Sequence, residues 1–318
     1  RGDYQQAEKH YHHSLKIEEQ LGDQSGIATT HHQLGMLAQA RGDYHQAEKH
    51  YHHSLVVFEQ LGNQAGIATT HHQLGMLAQA RGDYQQAEKH YHHSLKIEEQ
   101  LGDQSGIATS HGQLGTLSYL RGDYQQAEKH YHHSLKIEEQ LGDQAGIATT
   151  HHQLGMLAQA RGDYQQAEKH YHHSLKIKEQ LGNQAGIATT HHQLGSLAQA
   201  RGDSTDAVIH EFGAAMDQAE PCSTSAQVLA IAVSVATRAQ DLGAPELAAR
   251  AYLFLVRRAP ESADHEDTLN QGLSGLKSLF ASGYQAEVDA LLAPFLAELS
   301  PDDARAIRSF IQGGSNPE

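Results

Sequence analysis

The sequence contains a single cysteine, no initiator methionine and no long apolar run in its 318 residues. With Cys222 alone, no disulfide can form within the chain, which points to a reducing compartment and a cytoplasmic setting. No segment approaches the roughly 20 apolar residues that span a bilayer, so no membrane partner is expected. No signal peptide opens the chain; it starts at Arg1, in the middle of a repeat, and reads as part of a longer protein. Basic clusters are missing too. The formal charge is −15 with histidine neutral, and without a Lys/Arg patch a phosphate backbone has nothing to hold, so nucleic acid is not an expected partner.

Catalytic signatures are equally scarce. There is no Gly-rich phosphate loop ending in Lys-Ser/Thr, no HExxH and no GxSxG, so the chain is read as non-enzymatic and without a cofactor. Cys222 follows Pro221 in an expected linker and reads as an incidental thiol rather than a nucleophile.

What is present is repetition. Arg1 to Ala40 recurs from Arg41, Arg81, Arg121 and Arg161, and the first and fourth copies differ only at Ser25 against Ala145. A 40-residue period suits one helix pair that buries its faces against its neighbours. Gly2-Asp3 predicts a turn, with Asp3 as N-cap and Gln6 at capping-box spacing. Tyr4, Ala7, Tyr11, Leu15 and Ile17 then follow helical spacing, and Leu21-Gly22 closes the helix with glycine at C′. Asp23 caps the next helix, whose apolar stripe is Ile27, His31, Leu34, Leu37 and Ala38. At about 1.5 Å per residue each helix is roughly 25 Å long.

Residues 1–203 thus form five near-identical copies, and residues 204–300 continue the pattern in diverged form. There, Thr224 to Leu242 pairs with Pro245 to Arg258, and Ala263 to Ser282 pairs with Gln285 to Leu299, with Pro294 kinking the last. Within 301–318, Pro301 to Ile311 reads as a capping helix followed by a tail.

Leu34-Gly35, then Gly42, Tyr44, Ala47, Tyr51 and Leu55, match the spacing of the tetratricopeptide signature. The array resembles the 40-residue variety, similar to repeats in LGN/Pins-type scaffolds, kinesin light chains and bacterial regulators. Two departures are visible: His31 stands where the family has an aromatic, and the closing proline is replaced by a longer second helix. The resemblance implies an all-α fold, an α-solenoid (superhelix) of antiparallel helix pairs. It also implies that the first helix of each pair lines a concave groove that holds a peptide or partner protein, as part of a larger signalling protein.

Mapped onto this sequence, the family's groove positions are Thr29, His32, Met36 and Gln39 in the first copy and Thr69, His72, Met76 and Gln79 in the second. The third copy supplies Thr109, Gly112, Thr116 and Tyr119, and the fourth Thr149, His152, Met156 and Gln159. The fifth supplies Thr189, His192, Ser196 and Gln199. Such a face is polar, nearly uncharged and carries adaptable methionines.

The third copy differs from the first at six positions, all in the first helix: Ser110, Gly112, Thr116, Ser118, Tyr119 and Leu120. Loss of His and Met for Gly and Thr opens space, and Tyr119 supplies an aromatic wall, an expected anchor pocket; drift after duplication is the alternative. In the second copy Val56 and Phe58 replace Lys16 and Glu18 at positions expected to be exposed, a contact patch or a local repacking.

Of 27 histidines, 25 lie in the five copies. His10 and His13 share a helical face, but nothing in the sequence fixes further ligands, so no metal site is expected. Protonating all 27 moves the formal charge from −15 to +12, which predicts an acid-sensitive array that swells or loses partners below about pH 6. The Arg-Gly-Asp triplets that begin each copy read as turn and cap rather than as an adhesion motif. The alternative to a scaffold is a structural protein whose repeats associate end to end into filaments.

Overall fold

The computed structural model describes residues 2–222, 225–262 and 264–313, except the side chains of Gly2 and Asp3. Among these residues there are only helices, arranged as two compact units that divide between Leu157 and Ala158.

The first unit holds α1 (Gly2–Leu21), α2 (Gln24–Ala40), α3 (Tyr44–Leu61), α4 (Gln64–Ala80), α5 (Tyr84–Leu101), α6 (Gln104–Leu120), α7 (Tyr124–Leu141) and most of α8 (Gln144–Ala160). The second holds α9 (Tyr164–Gln180), α10 (Gln184–Arg201), α11 (Thr205–Ala219), α12 (Ala226–Asp241), α13 (Pro245–Arg258), α14 (His265–Ala281), α15 (Gln285–Leu296) and α16 (Pro301–Ile311). Consecutive helices pack as pairs, α2 with α3, α4 with α5 and α6 with α7, and likewise α10 with α11 and α12 with α13. The fold is an α-solenoid.

Each turn is fixed by the same local chemistry. Gly42 closes α2 at φ 77°, and the Asp43 N–H reaches back to the Ala38 carbonyl at 2.9 Å. The Asp43 carboxylate then accepts the Gln46 N–H at 3.1 Å and starts α3. The same capping recurs at Asp83, Asp123 and Asp163, while Asp23, Asn63, Asp103 and Asn183 cap the alternate helices. In the first copy α1 begins at Gly2, and the expected Asp3 side-chain cap lies outside the described residues.

The pairs close through a glycine–tyrosine contact. Tyr51, Tyr91 and Tyr171 have no exposed surface, and a Cβ on Gly35 or Gly75 would meet the ring of Tyr51 or Tyr91 at 2.6 Å. The glycines therefore let the helices approach closely. A Gly75→Ala variant should lose ~1–3 kcal/mol despite alanine's better helix propensity, read as a lower urea midpoint at unchanged m.

Phe58 corrects an expectation: it is not exposed but 6% accessible, lying on the backbone of Gly66, whereas Val56 is 49% accessible. It stands seven residues after Tyr51, on the face that already carries the tyrosine and Leu55. The equivalent residues Glu98, Glu138 and Lys178 are buried as well.

Beyond the copies the core thickens. Phe212, Val228, Ile231, Leu255, Leu273, Leu276 and Leu279 form one apolar cluster in the second unit. α12 and α14 begin at Ala226 and His265; the expected starts at Thr224 and Ala263 lie outside the described residues. α15 ends at Leu296, short of Leu299, with Pro294 inside its last turn. α16 turns Phe310 and Ile311 onto the apolar cluster, and its Asp302, Asp303, Arg305 and Arg308 face solvent.

Candidate functional site

The first helices of the pairs place the expected recognition positions one turn apart along a single face. Their side chains have different fates. Thr29, Thr69, Thr109 and Thr149 are exposed, and each hydroxyl donates to the carbonyl four residues back at 2.9 Å. Met36 and Met76 are 48% and 36% exposed, and Met156 is half-buried. These methionines are the freest apolar surface on the face.

The glutamines are partly structural. Gln39 Oε1 accepts the Tyr51 hydroxyl at 2.9 Å, and Gln79 accepts that of Tyr91 at the same distance. In the second unit Gln159 accepts from Tyr171 at 2.8 Å, and Gln199 accepts from Arg238 at 2.7 Å.

Two of the histidines at these positions, His32 and His192, link neighbouring first helices. His32 packs tilted against Tyr51 with ring centroids 5.5 Å apart and approaches the Thr70 hydroxyl of α4 at 3.4 Å. His72 lies 5.6 Å from Tyr91. In the second unit His192 Nε2 meets Ser234 Oγ at 2.8 Å, and Ser196 bonds back to the His192 carbonyl. Burial lowers the pKa of His32 and His72, and burial with the nearby Arg238 charge lowers that of His192 to about 4.

The third copy breaks this regularity. With Gly112 in place of histidine, a cleft of about 290 Å³ opens between α6 and α8, floored by α7. Gly112 borders it with Thr109, Thr149 and Gln153, and Ser134 and Glu138 form the floor. The other two expected pocket residues are elsewhere. Tyr119 does not line the cleft; its ring packs 5.8 Å from Tyr124. Thr116 takes over the duty of the lost glutamine, accepting from Gln153 Nε2 at 3.1 Å and from the Tyr131 hydroxyl at 3.4 Å.

Sequence reasoning missed the floor. Glu138 Oε1 accepts from Ser134 at 2.8 Å and Thr150 at 3.0 Å, and burial raises its pKa above the usual value despite those bonds. The signal was present in the spacing: a position that accommodates Phe58 in one copy is a core position in all.

A larger cleft of about 680 Å³ lies beside α13 and α15, bordered by Arg250, Arg257 and Arg258. Its cations are engaged: Arg250 with Asp217 and Glu220, Arg258 with Glu261, and Arg257 over the Phe295 ring. The arginines of the Arg-Gly-Asp triplets are also paired, Arg41 with Glu8 at 2.6 Å, Arg81 with Glu48 at 2.8 Å and Arg121 with Glu88 at 2.7 Å. Among the described residues no group of three or more His, Cys, Asp or Glu is placed to hold a metal ion, and no helix is long and apolar enough to cross a membrane. Cys222 donates its thiol to the Gln218 carbonyl at 3.1 Å, and burial raises its pKa.

Solved structures share this fold at low identity. The apo form of RapI is 13% identical with a TM-score of 0.58, covering 86% of this chain and 81% of RapI. A Rap protein complexed with competence and sporulation factor is 15% identical with a TM-score of 0.58, covering 91% and 76%. BtubC (BKLC) from P. vanneervenii is 18% identical with a TM-score of 0.50, covering 88% and 93%. A search of curated protein sequences finds no match. The tetratricopeptide repeat model matches residues 1–60, 26–99, 66–140 and 146–211. With the helix pairs, the capped turns and the glycine–tyrosine contacts, these matches place the chain in the tetratricopeptide repeat family.

Proposed function

We propose that this chain is a protein-interaction scaffold whose first helices hold a peptide or an extended segment of a partner protein. The observation that carries the reading is where the third copy varies. Between the third copy and the first all six substitutions fall in the first helix, while the other helix of the copy is unchanged, residues 84–101 of α5 repeating residues 4–21 of α1. A scaffold that only stacked its repeats would gain nothing from opening a cleft beside Gly112 on that face. The exposed Met36 and Met76 supply soft apolar contacts, and the polar cleft supplies a point of selection. A Rap protein solved with competence and sporulation factor has the same fold, which agrees with such a role. A place behind a signalling domain of a longer protein is part of this proposal.

The test is selection of peptides from a random display library on the full chain. Enriched peptides should bind the native chain and lose at least about tenfold in affinity to a Met36→Glu, Met76→Glu, Thr109→Glu variant that keeps its helicity, as expected for charge placed across a contact surface. Peptides that bind both chains equally, or no enrichment at all, contradict the reading. Light scattering that grows with concentration would instead favour end-to-end association.

A further inference from the structure

The cleft at Gly112 has a chemistry of its own. In the equivalent places His32 reaches Thr70 of the next first helix and packs near Tyr51, and His72 packs near Tyr91. At Gly112 a Cβ would meet only Ser134 Oγ, at 3.7 Å, so the space is open down to the second helix. Beneath it lies Glu138, 7% exposed. Its Oε1 accepts two hydroxyl donors, and its Oε2 is buried with no hydrogen-bond partner. A buried carboxylate oxygen without a donor costs free energy that a ligand able to donate would recover.

The rest of the lining narrows the ligand. No lysine or arginine borders the cleft, and a second carboxylate, Asp143, does. Asp143 Oδ1 is engaged by the Gly146 N–H at 3.0 Å. Thr109, Thr149 and Gln153 ring the opening, and Ala108 and Leu141 give it apolar wall. An anion is excluded by two carboxylates. A neutral donor would satisfy Oε2 and leave the charge buried. A cation on an apolar stem satisfies both.

Resting on the scaffold reading above, we propose that this cleft is a subsite for a primary ammonium group on an alkyl chain, the side chain of a lysine in the bound partner being its source. The ammonium donates to Glu138 Oε2, its methylenes lie along Ala108 and Leu141, and the threonine hydroxyls accept its remaining protons. The subsite exists once, because among the five copies only the third has glycine in place of histidine. It therefore fixes register on an otherwise repetitive face.

Two probes of the same chemistry test this by amide NMR on the full chain: N-acetyl-lysine N′-methylamide and n-butylammonium. N-acetyl-norleucine N′-methylamide is the uncharged control. The expected result is that the lysine probe shifts the amides of Thr109, Gly112, Gly146 and Thr149, and the norleucine probe does not. Glu138→Gln and, separately, Gly112→His should each weaken it about tenfold or more, the loss expected for a charge-assisted bond. Gly112→His restores the residue of the other copies, so it keeps the test valid even if Glu138→Gln does not fold. Equal binding of both ammonium probes would assign the subsite to free amines as well. Equal binding by norleucine, retention in the Gly112→His chain, or no shift overturns the proposal. Because the probes are single residues, they report on the cleft alone. Selected peptides without probe binding would leave the scaffold reading intact and remove the subsite; probe binding without selected peptides would do the reverse.

Discussion

Lowering the pH from 7.5 to 5 should drop the melting temperature of this protein by on the order of 10 °C. The cause is a set of histidine clusters between helices. His31 Nδ1 lies 3.0 Å from His50 Nδ1, and the His53 ring centroid is 3.9 Å away. His71 faces His90 and His93 in the same way, and His111 faces His130 and His133. Burial first, then the facing histidines, with His12, His52 and His92 joining from the preceding second helices, lower the pKa of His31, His71 and His111 to about 4. His192 is lowered equally, by burial and Arg238. Glu8, Glu48 and Glu88 oppose the effect at His50, His90 and His130, where burial still lowers the pKa overall.

The sign follows from the direction. A histidine whose pKa is lowered by folding binds fewer protons in the native state than in the unfolded chain. Its contribution to stability is complete above the unfolded value near 6.5 and is lost as pH falls toward 4. Near pH 5 unfolding should therefore take up roughly four protons from these four groups, somewhat fewer because the rings are half-exposed and screened. One ion pair adds to the acid sensitivity, because a carboxylate held below its unfolded pKa also loses its stabilising contribution as pH falls. In the fifth copy His191 Nδ1 meets Glu211 Oε2 at 2.7 Å, and although burial works against that carboxylate, the histidine holds it below its usual pKa. A His31→Gln, His71→Gln, His111→Gln chain should show a flatter profile. A melting temperature unchanged between pH 7.5 and 5 would remove the histidine account.

Tyr91→Ala should be the most damaging single substitution in the near-identical copies. The ring is fully buried, covers Gly75, contacts His72 and donates its hydroxyl to Gln79. Truncation leaves a cavity and an unpaired glutamine, costing ~3–5 kcal/mol. In an array held by nearest-neighbour contacts, such a loss also uncouples the repeats on either side. Urea unfolding followed by circular dichroism should change from one transition to two. A single transition with a midpoint near that of the native chain would contradict the packing described for this pair.

The sequence carried the fold because its turns are local. The Gly42-Asp43 turn could be read from spacing alone, since it depends on neighbouring residues, and Gly35 and Tyr51 were legible as positions of the repeat signature, although their contact was not. The site was less legible. Phe58 reads as exposed from the sequence because the charged Glu18 at the same position in the first copy outweighs a helical spacing that places it with Tyr51. The Gly112 opening was visible, yet Thr116 and Tyr119 were assigned to it, although the hydroxyl of Tyr131 claims the one and Tyr124 the other. The histidine clusters escaped because His50 and His53 share a face within one helix, while their partner His31 comes from another. Spacing along a chain records the first relation and not the second.

The chain has four methionines, and their methyl groups report directly on the proposed recognition face. Met36, Met76 and Met156 lie on first helices, whereas Met216 is fully buried in α11. Methyl NMR of the methionine-labelled chain, titrated with a peptide selected on it, should shift the first three signals and leave Met216 in place. Shifts confined to Met216, or a bound peptide that moves none of the four, would contradict a recognition face built from the first helices.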